Sequence, residues 1–249
     1  MPAPLSVLVV VGTRPEAIKL APLIHALRAD DAFAVTTCVT SQHRELLHSM
    51  LDFFAVPYDY DLQVMQPRQS LAELTCNVLR GLDQILTQKP FDIVVSQGDT
   101  TTAFIAGLAA FYRHIRVAHV EAGLRSFDLQ RPFPEEANRR LVDTVSDYLF
   151  APTTDAANNL RAEGYADDRI FVTGNTGIDA LLSAADIVAR TDRPLPIALP
   201  TDPRTQLALV TAHRRESFGD GLSRICQAVC ELVAAHPHLH VLYPVHPNP

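Results

Sequence analysis

Apolar residues arrive along this chain in short, almost unbroken runs separated by helix-length amphipathic stretches. Ser6 to Val11, Phe33 to Thr40, Phe91 to Ser96, Ile115 to Val120, Tyr148 to Ala151 and Arg169 to Thr173 are strand-sized, and all but Tyr148 to Ala151 are rich in β-branched side chains. Runs of this kind belong to strands covered on both faces. Tyr58 to Val64 is expected as a further short extended segment. The stretches between them, ending near Arg28, opening at Ser41, then Leu71 to Gln88, Thr100 to Tyr112, Glu135 to Ser146 and Asp155 to Glu163, carry helix-like patterns. Pro22 is expected to bend the first of these helices. Strict strand-helix alternation predicts an α/β fold, a parallel sheet joined by right-handed crossovers.

Gly174 to Gly177 interrupts the pattern, a helix follows to about Arg190, and Thr191 to Pro203 is proline-rich, as a hinge or boundary would be. Beyond it, Leu207 to Ala212 and His240 to Val245 read as strands around a helix from Gly221 to Ala235. Two strands and two helices cannot cover both faces of a parallel sheet, so this second α/β domain is expected to be incomplete.

Composition narrows the partners. The chain has 249 residues, 47% of them hydrophobic and 20% charged, a globular balance with a sizeable core. A formal net charge of −7 argues against a broad nucleic-acid surface, which needs an excess of lysine and arginine. Neither a signal peptide nor a membrane-spanning run is read, and a cytoplasmic, metal-independent protein is expected. Cys38, Cys76, Cys226 and Cys230 are too scattered for a disulfide framework. Cys226 and Cys230, four apart on a helix, fit a buried face better than a metal pair, and His236, His238 and His240 alternate without a further ligand to complete a set.

The chemistry concentrates between Gln97 and Arg140. Gln97-Gly98-Asp99-Thr100 follows one strand and His119-Val120-Glu121-Ala122-Gly123-Leu124-Arg125 closes another, placing Asp99 and Glu121 at carboxyl ends of parallel strands, where open α/β sheets bind ligands. Pro134-Glu135-Glu136 opens a helix, and Arg125, Arg131, Arg139 and Arg140 stand nearby. Taken singly, Asp99 is an ordinary helix cap and the Glu135-Glu136 pair an ordinary acidic first turn. Together they describe a site for an anionic substrate with carboxylates placed for acid/base work. Gly12-Thr13-Arg14-Pro15-Glu16 turns the first strand into a helix whose free amides, flanked by Arg14 and Lys19, favour an anion, although it is neither a Walker loop nor a G-x-G-x-x-G fingerprint.

The words GTRPEAIK at Gly12 to Lys19, QGDTTT at Gln97 to Thr102, HVEAGLR at His119 to Arg125, PEEANR at Pro134 to Arg139 and HRRES at His213 to Ser217 resemble the non-hydrolysing UDP-N-acetylglucosamine 2-epimerases, and Tyr243 to Pro249 extends the likeness. The resemblance implies two Rossmann-like domains of GT-B type with the active site in the cleft between them. Here the first would span residues 1–173, while 174–249 would hold a linker and an incomplete second domain. It implies reversible conversion of UDP-GlcNAc to UDP-ManNAc by elimination of UDP, a 2-acetamidoglucal intermediate and re-addition, with no cofactor and no metal, in a homodimer supplying surface polysaccharide synthesis. UDP-GlcNAc and UDP would be the ligands, with no nucleic acid or membrane as partner.

Residue by residue, the resemblance implies that Asp99, Glu121 and Glu135 are the acid/base carboxylates and that His213 helps UDP leave. Arg14, Lys19 and Arg139 would bind substrate, and Gln42, Arg44, Gln69 and Arg214 would hold an allosteric UDP-GlcNAc. Gln97 stands where some members carry histidine. Because the family is longer than this chain, an inactive or merely nucleotide-sugar-binding fragment is an alternative reading. A hydrolysing 2-epimerase releasing ManNAc is another, and a GT-B glycosyltransferase would need an acceptor that nothing here identifies.

Overall fold

A computed structural model describes residues 3–41, 44–66, 68–191, 197–212 and 220–245, with the Arg44 side chain left aside. The chain forms two compact units, Met1–Thr191 and Asp192–Pro249. The first contains β1 (Leu5–Val11), α1 (Arg14–Arg28), β2 (Phe33–Val39), α2 (Arg44–Phe53), β3 (Tyr60–Asp61), α3 (Leu71–Gln88), β4 (Ile93–Gln97), α4 (Thr101–Tyr112) and β5 (Arg116–Val120). It continues through α5 (Glu135–Val145), β6 (Tyr148–Ala151), α6 (Thr154–Ala162), β7 (Ile170–Val172) and α7 (Thr176–Arg190). The expected extended segment from Tyr58 to Val64 shrinks to β3, and α1 runs through Pro22 to Arg28.

Seven strands form one sheet in the order β3-β2-β1-β4-β5-β6-β7, every neighbouring pair parallel. From β1 the chain winds outward to β3, crosses back to the other side of β1, and then winds outward from β4 to β7. The direction reverses between β1 and β4. Loops leaving these two strands diverge there, which opens a crevice at the carboxyl edge.

Alternation along β1 covers both faces. Val7, Val9 and Val11 join Leu20, Ile24, Leu47 and Leu51 on one side, while Leu8 and Val10 join Val78, Leu82, Ile105 and Ala109 on the other. A third cluster around Leu149, Ala157 and Leu160 seats α6 near the β6 edge. Helix α7 belongs to the first unit: Ala180 is buried in the cluster that contains Leu20 and Ile24, with Ala184 and Ile187 packed against it. That unit therefore reaches past Thr173, where the sequence alone places the end of the first domain.

The second unit has β8 (Gln206–Leu209), α8 (Asp220–Ala235) and β9 (Leu239–Leu242), its two strands parallel. Cys226 and Cys230 are exposed, against the expectation of a buried face. Among the described residues of this unit one helix stands beside two strands, and no residue of α8 is buried. Among the described residues no helix is long and apolar enough to cross a membrane.

Candidate active site

Three loops meet at the crevice, each shaped by a local constraint. After β1, Gly12 is buried where a Cβ would fall 2.6 Å from the Thr102 Cβ, so only glycine lets the first turn of α4 come this close. Two residues into α1, Glu16 folds back over the turn. One carboxyl oxygen accepts from the Gly12 amide at 2.9 Å and from the Thr13 amide, and the other pairs with the Thr100 hydroxyl at 2.7 Å. Burial pushes the Glu16 carboxyl up to about 7, against the pull of these hydrogen bonds. The two amides that donate to Glu16 belong to the turn before α1 and to its N-cap, Thr13. Arg14, half-buried at the first residue of α1, does not line the cleft.

After β4, Gly98 takes the left-handed conformation, φ 76°, and turns the chain toward α4. Thr100 caps that helix by accepting from the Ala103 amide at 3.1 Å. Asp99 is released from capping. Its carboxylate pairs with Arg139 of α5, and its carbonyl accepts from Asn138 Nδ2 at 3.0 Å.

Past β5, Glu121 also has positive φ, 72°, a conformation that costs a non-glycine residue about 1–3 kcal/mol and tends to persist at functional positions. Lys19 Nζ donates to both of its carboxylate oxygens, at 2.7 and 2.6 Å, and Gln97 Nε2 donates to one of them. Asn175, which caps α7 through the Gly177 amide at 2.8 Å, lies 3.5 Å away from the other.

These side chains enclose a cleft of ≈ 190 Å³ lined by Lys19, Gln97, Asp99, Glu121, Leu124 and Arg139, with Thr13, Pro15, Glu16, Gly98 and Thr100 completing its walls. Two ion pairs, Asp99 with Arg139 and Glu121 with Lys19, stand in it beside the buried Glu16 carboxyl. A site of this composition can hold an anionic group and move a proton beside it. Glu135, half-buried at the first residue of α5, lies off this wall. Its neighbour Glu136 is fully buried, accepting from the Ser126 and Phe127 amides at 3.0 and 3.3 Å and meeting Arg139 Nη1 at 3.3 Å.

Of the four arginines grouped by sequence, Arg139 alone faces the cleft. Arg125 is buried and bridges Asp143 and Glu163, each at 2.7 Å, and Arg140 reaches Glu163 at 3.5 Å. Arg131 is exposed in the loop before α5. Within α5, helical geometry separates Arg139 from Arg140, since adjacent positions point about 100° apart.

Behind the cleft lies a buried polar chain. His119, fully buried in β5, places Nδ1 2.6 Å from Asp143 Oδ1 and Nε2 2.7 Å from the Gly98 carbonyl. Burial works to raise the Asp143 carboxyl, but His119 and Arg125 outweigh it and hold the group below its ordinary value. The Gly123 amide adds a donor at 3.2 Å. A histidine inside an otherwise apolar strand and a buried glutamate beside a helix-opening proline were the available sequence signals for His119 and Glu16. Both stand within words already singled out.

Gln42, His213 and Arg214 lie outside the described residues, as does the Arg44 side chain. Gln69 is described, and its amide serves its own loop, donating to the Val64 carbonyl at 3.0 Å and accepting from the Gln66 amide at 3.2 Å.

A doubly wound parallel sheet whose switch point carries the Asp99–Arg139 and Glu121–Lys19 ion pairs defines an α/β, Rossmann-like protein with a charged cleft at its strand ends. The family profile described as UDP-N-acetylglucosamine 2-epimerase matches residues 25–249. The UDP-N-acetylglucosamine 2-epimerase of Escherichia coli K12 is 51% identical over 249 residues, 98% of this chain and 66% of the relative. Among solved structures, the Neisseria meningitidis UDP-GlcNAc 2-epimerase bound to UDP-GlcNAc matches with TM-score 0.90 and 43% identity, over 98% of this chain and 67% of that one. The Methanocaldococcus jannaschii UDP-GlcNAc 2-epimerase in complex with UDP-GlcNAc and UDP matches with TM-score 0.81 and 34% identity, over 98% and 66%. The chain belongs to the UDP-N-acetylglucosamine 2-epimerase family, with the GT-B-type α/β architecture expected for it, and it spans 66% of the length of the E. coli relative.

Proposed function

We propose that this protein interconverts UDP-GlcNAc and UDP-ManNAc by the non-hydrolysing route. The observation that carries the reading is the pairing of Asp99 with Arg139 and of Glu121 with Lys19 around one cleft. The hydrogen on C2 of the sugar is not acidic, and in the proposed route the C1–oxygen bond to UDP breaks together with the C2–hydrogen bond. A carboxylate takes the proton while the bonding pair forms the C1–C2 double bond of 2-acetamidoglucal. UDP departs with the other pair. Return of a proton to the opposite face of C2, with UDP adding back to C1, completes the inversion. Asp99, Glu121 and Glu135 are the proposed acid/base set, and Lys19, Arg139, Arg14 and His213 the groups that hold or release the diphosphate. An allosteric UDP-GlcNAc at Gln42, Arg44, Gln69 and Arg214, a homodimeric cytoplasmic enzyme and a role in surface polysaccharide synthesis complete the proposal and rest on the family likeness.

The test is incubation of the protein with UDP-GlcNAc in deuterium oxide, followed by NMR, with Asp99→Asn as control. Deuterium at C2 together with UDP-ManNAc, lost in the control, is expected. A folded protein that exchanges nothing overturns the reading, and free ManNAc in place of UDP-ManNAc assigns a hydrolysing enzyme instead.

A further inference from the structure

The two carboxylates of the cleft sit on different loops, and the reaction proposed above requires them to keep a fixed relation to one sugar carbon. Among the described residues, a backbone hydrogen bond ties the roots of those loops where the Gly98 amide donates to the Val120 carbonyl at 3.0 Å. A second tie comes from His119. Its Nε2 holds the Gly98 carbonyl at 2.7 Å and its Nδ1 holds Asp143 at 2.6 Å. A carbonyl and a carboxylate both accept, so each ring nitrogen donates. Asp143 is in turn fixed from two other directions, by Arg125 at 2.7 Å and by the Gly123 amide at 3.2 Å. Gly98 immediately precedes Asp99 and Glu121 lies two residues after His119, so one imidazole spans the roots of both reactive side chains.

We propose that His119 is a positioning residue: by anchoring the Gly98 carbonyl to the Asp143–Arg125 pair, it sets the peptide plane that aims Asp99 and so the placement of Asp99 relative to Glu121. The side chain is fully buried and lies behind the cleft wall, so it touches no substrate. The proposal rests on the epimerase reading in taking Asp99 and Glu121 as the groups that act at C2. Displacement of a reacting group by about 1 Å costs on the order of a hundredfold in rate, whereas substrate affinity depends on Lys19 and Arg139, which His119 does not contact.

The test compares wild type with His119→Phe, which keeps the ring and loses both donors, and His119→Gln, whose amide can still reach the Gly98 carbonyl. With folded protein confirmed by circular dichroism, His119→Phe is expected to lower kcat for C2 exchange by about a hundredfold and to leave the Kd for UDP within about twofold. The isotope effect with C2-deuterated substrate is expected to rise, and His119→Gln to recover about tenfold in kcat. Folded His119→Phe with wild-type kcat and isotope effect overturns the proposal, as does equal loss in the two variants. A crystal structure of whichever variant folds gives a readout independent of turnover: an Asp99–Glu121 arrangement identical to wild type overturns the positioning role, and a rotated Gly98 peptide supports it. Absence of C2 exchange in the wild type would refute the epimerase reading alone, leaving the crystallographic arm to judge His119.

Discussion

Lys19 Nζ lies 2.7 and 2.6 Å from the two carboxylate oxygens of Glu121, so the first helix of the chain is fastened to the end of β5 across the intervening strand β4. The lysine is 29% exposed, and its removal leaves no large cavity. Lys19→Ala is expected to fold with little change in thermal midpoint and to lower C2 exchange by about a hundredfold, the scale of losing one charge-stabilising group. NMR exchange rates and calorimetry check the two halves separately. Unchanged turnover would remove Lys19 from the site.

Glu16 predicts a pH dependence of stability. Its ordinary value of 4.5 is pushed up to about 7 in the folded chain by burial. Between those values the folded chain keeps a proton that the unfolded chain releases. The contribution is therefore fully present below about 4.5 and is lost as pH rises through 7, amounting to roughly 3 kcal/mol. Urea unfolding of wild type and Glu16→Gln at pH 5 and pH 8 checks this: the variant is expected to gain relative to wild type at the higher pH. A difference independent of pH would contradict the assignment.

Thr100 and Asp99 divide two duties that either residue could have taken. Thr100→Val removes both the α4 cap and the hydroxyl bound to buried Glu16 and is expected to cost about 2 kcal/mol. Asp99→Asn weakens a partly exposed ion pair and is expected to cost only on the order of 0.5 kcal/mol while abolishing exchange. Denaturant midpoints beside exchange rates separate the cap from the reactive group, and a reversed order of stability losses would reverse the roles.

Gly123 joins the β5 loop to α6. At φ 81° an added Cβ would lie 2.2 Å from the Ala156 carbonyl oxygen, a backbone atom that cannot step aside. Gly123→Ala is expected to cost about 3 kcal/mol or more. Gly164 has φ 90° but nothing within 4 Å of the added carbon, and Gly164→Ala is expected to cost about 1 kcal/mol. Chemical denaturation of the pair checks whether the clash, rather than the dihedral alone, decides.

The alternation of strands and helices along the chain and the placement of Asp99 and Glu121 at strand ends were legible because apolar runs and breaker residues are local signals, whereas the order of strands in the sheet is a tertiary property that no local signal carries. Within α5 the sequence could not say which of two adjacent acids turns inward, because that depends on the angle at which the helix meets β4. Glu136 is the buried one and Glu135 lies off the cleft wall. Arg125 and Arg139 look equivalent in sequence, yet one completes a buried pair with Asp143 and the other meets Asp99. Cys226 and Cys230 show a different limit: four-residue spacing reports a shared helix face, but not whether anything covers it.

The place of β1 between β2 and β4 also bears on how the molecule comes into being. Lys19 and Glu121 stand 102 positions apart, and Asp99 and Arg139 stand 40 apart. A nascent chain that has emerged only as far as β3 holds Lys19 but not Arg139, and neither Asp99 nor Glu121. The cleft exists only after β4 and β5 have docked on the far side of β1 and α5 has left the ribosome. Assembly of the cleft is thus a late event of biosynthesis, gated by the docking of the middle of the sheet onto a strand made long before.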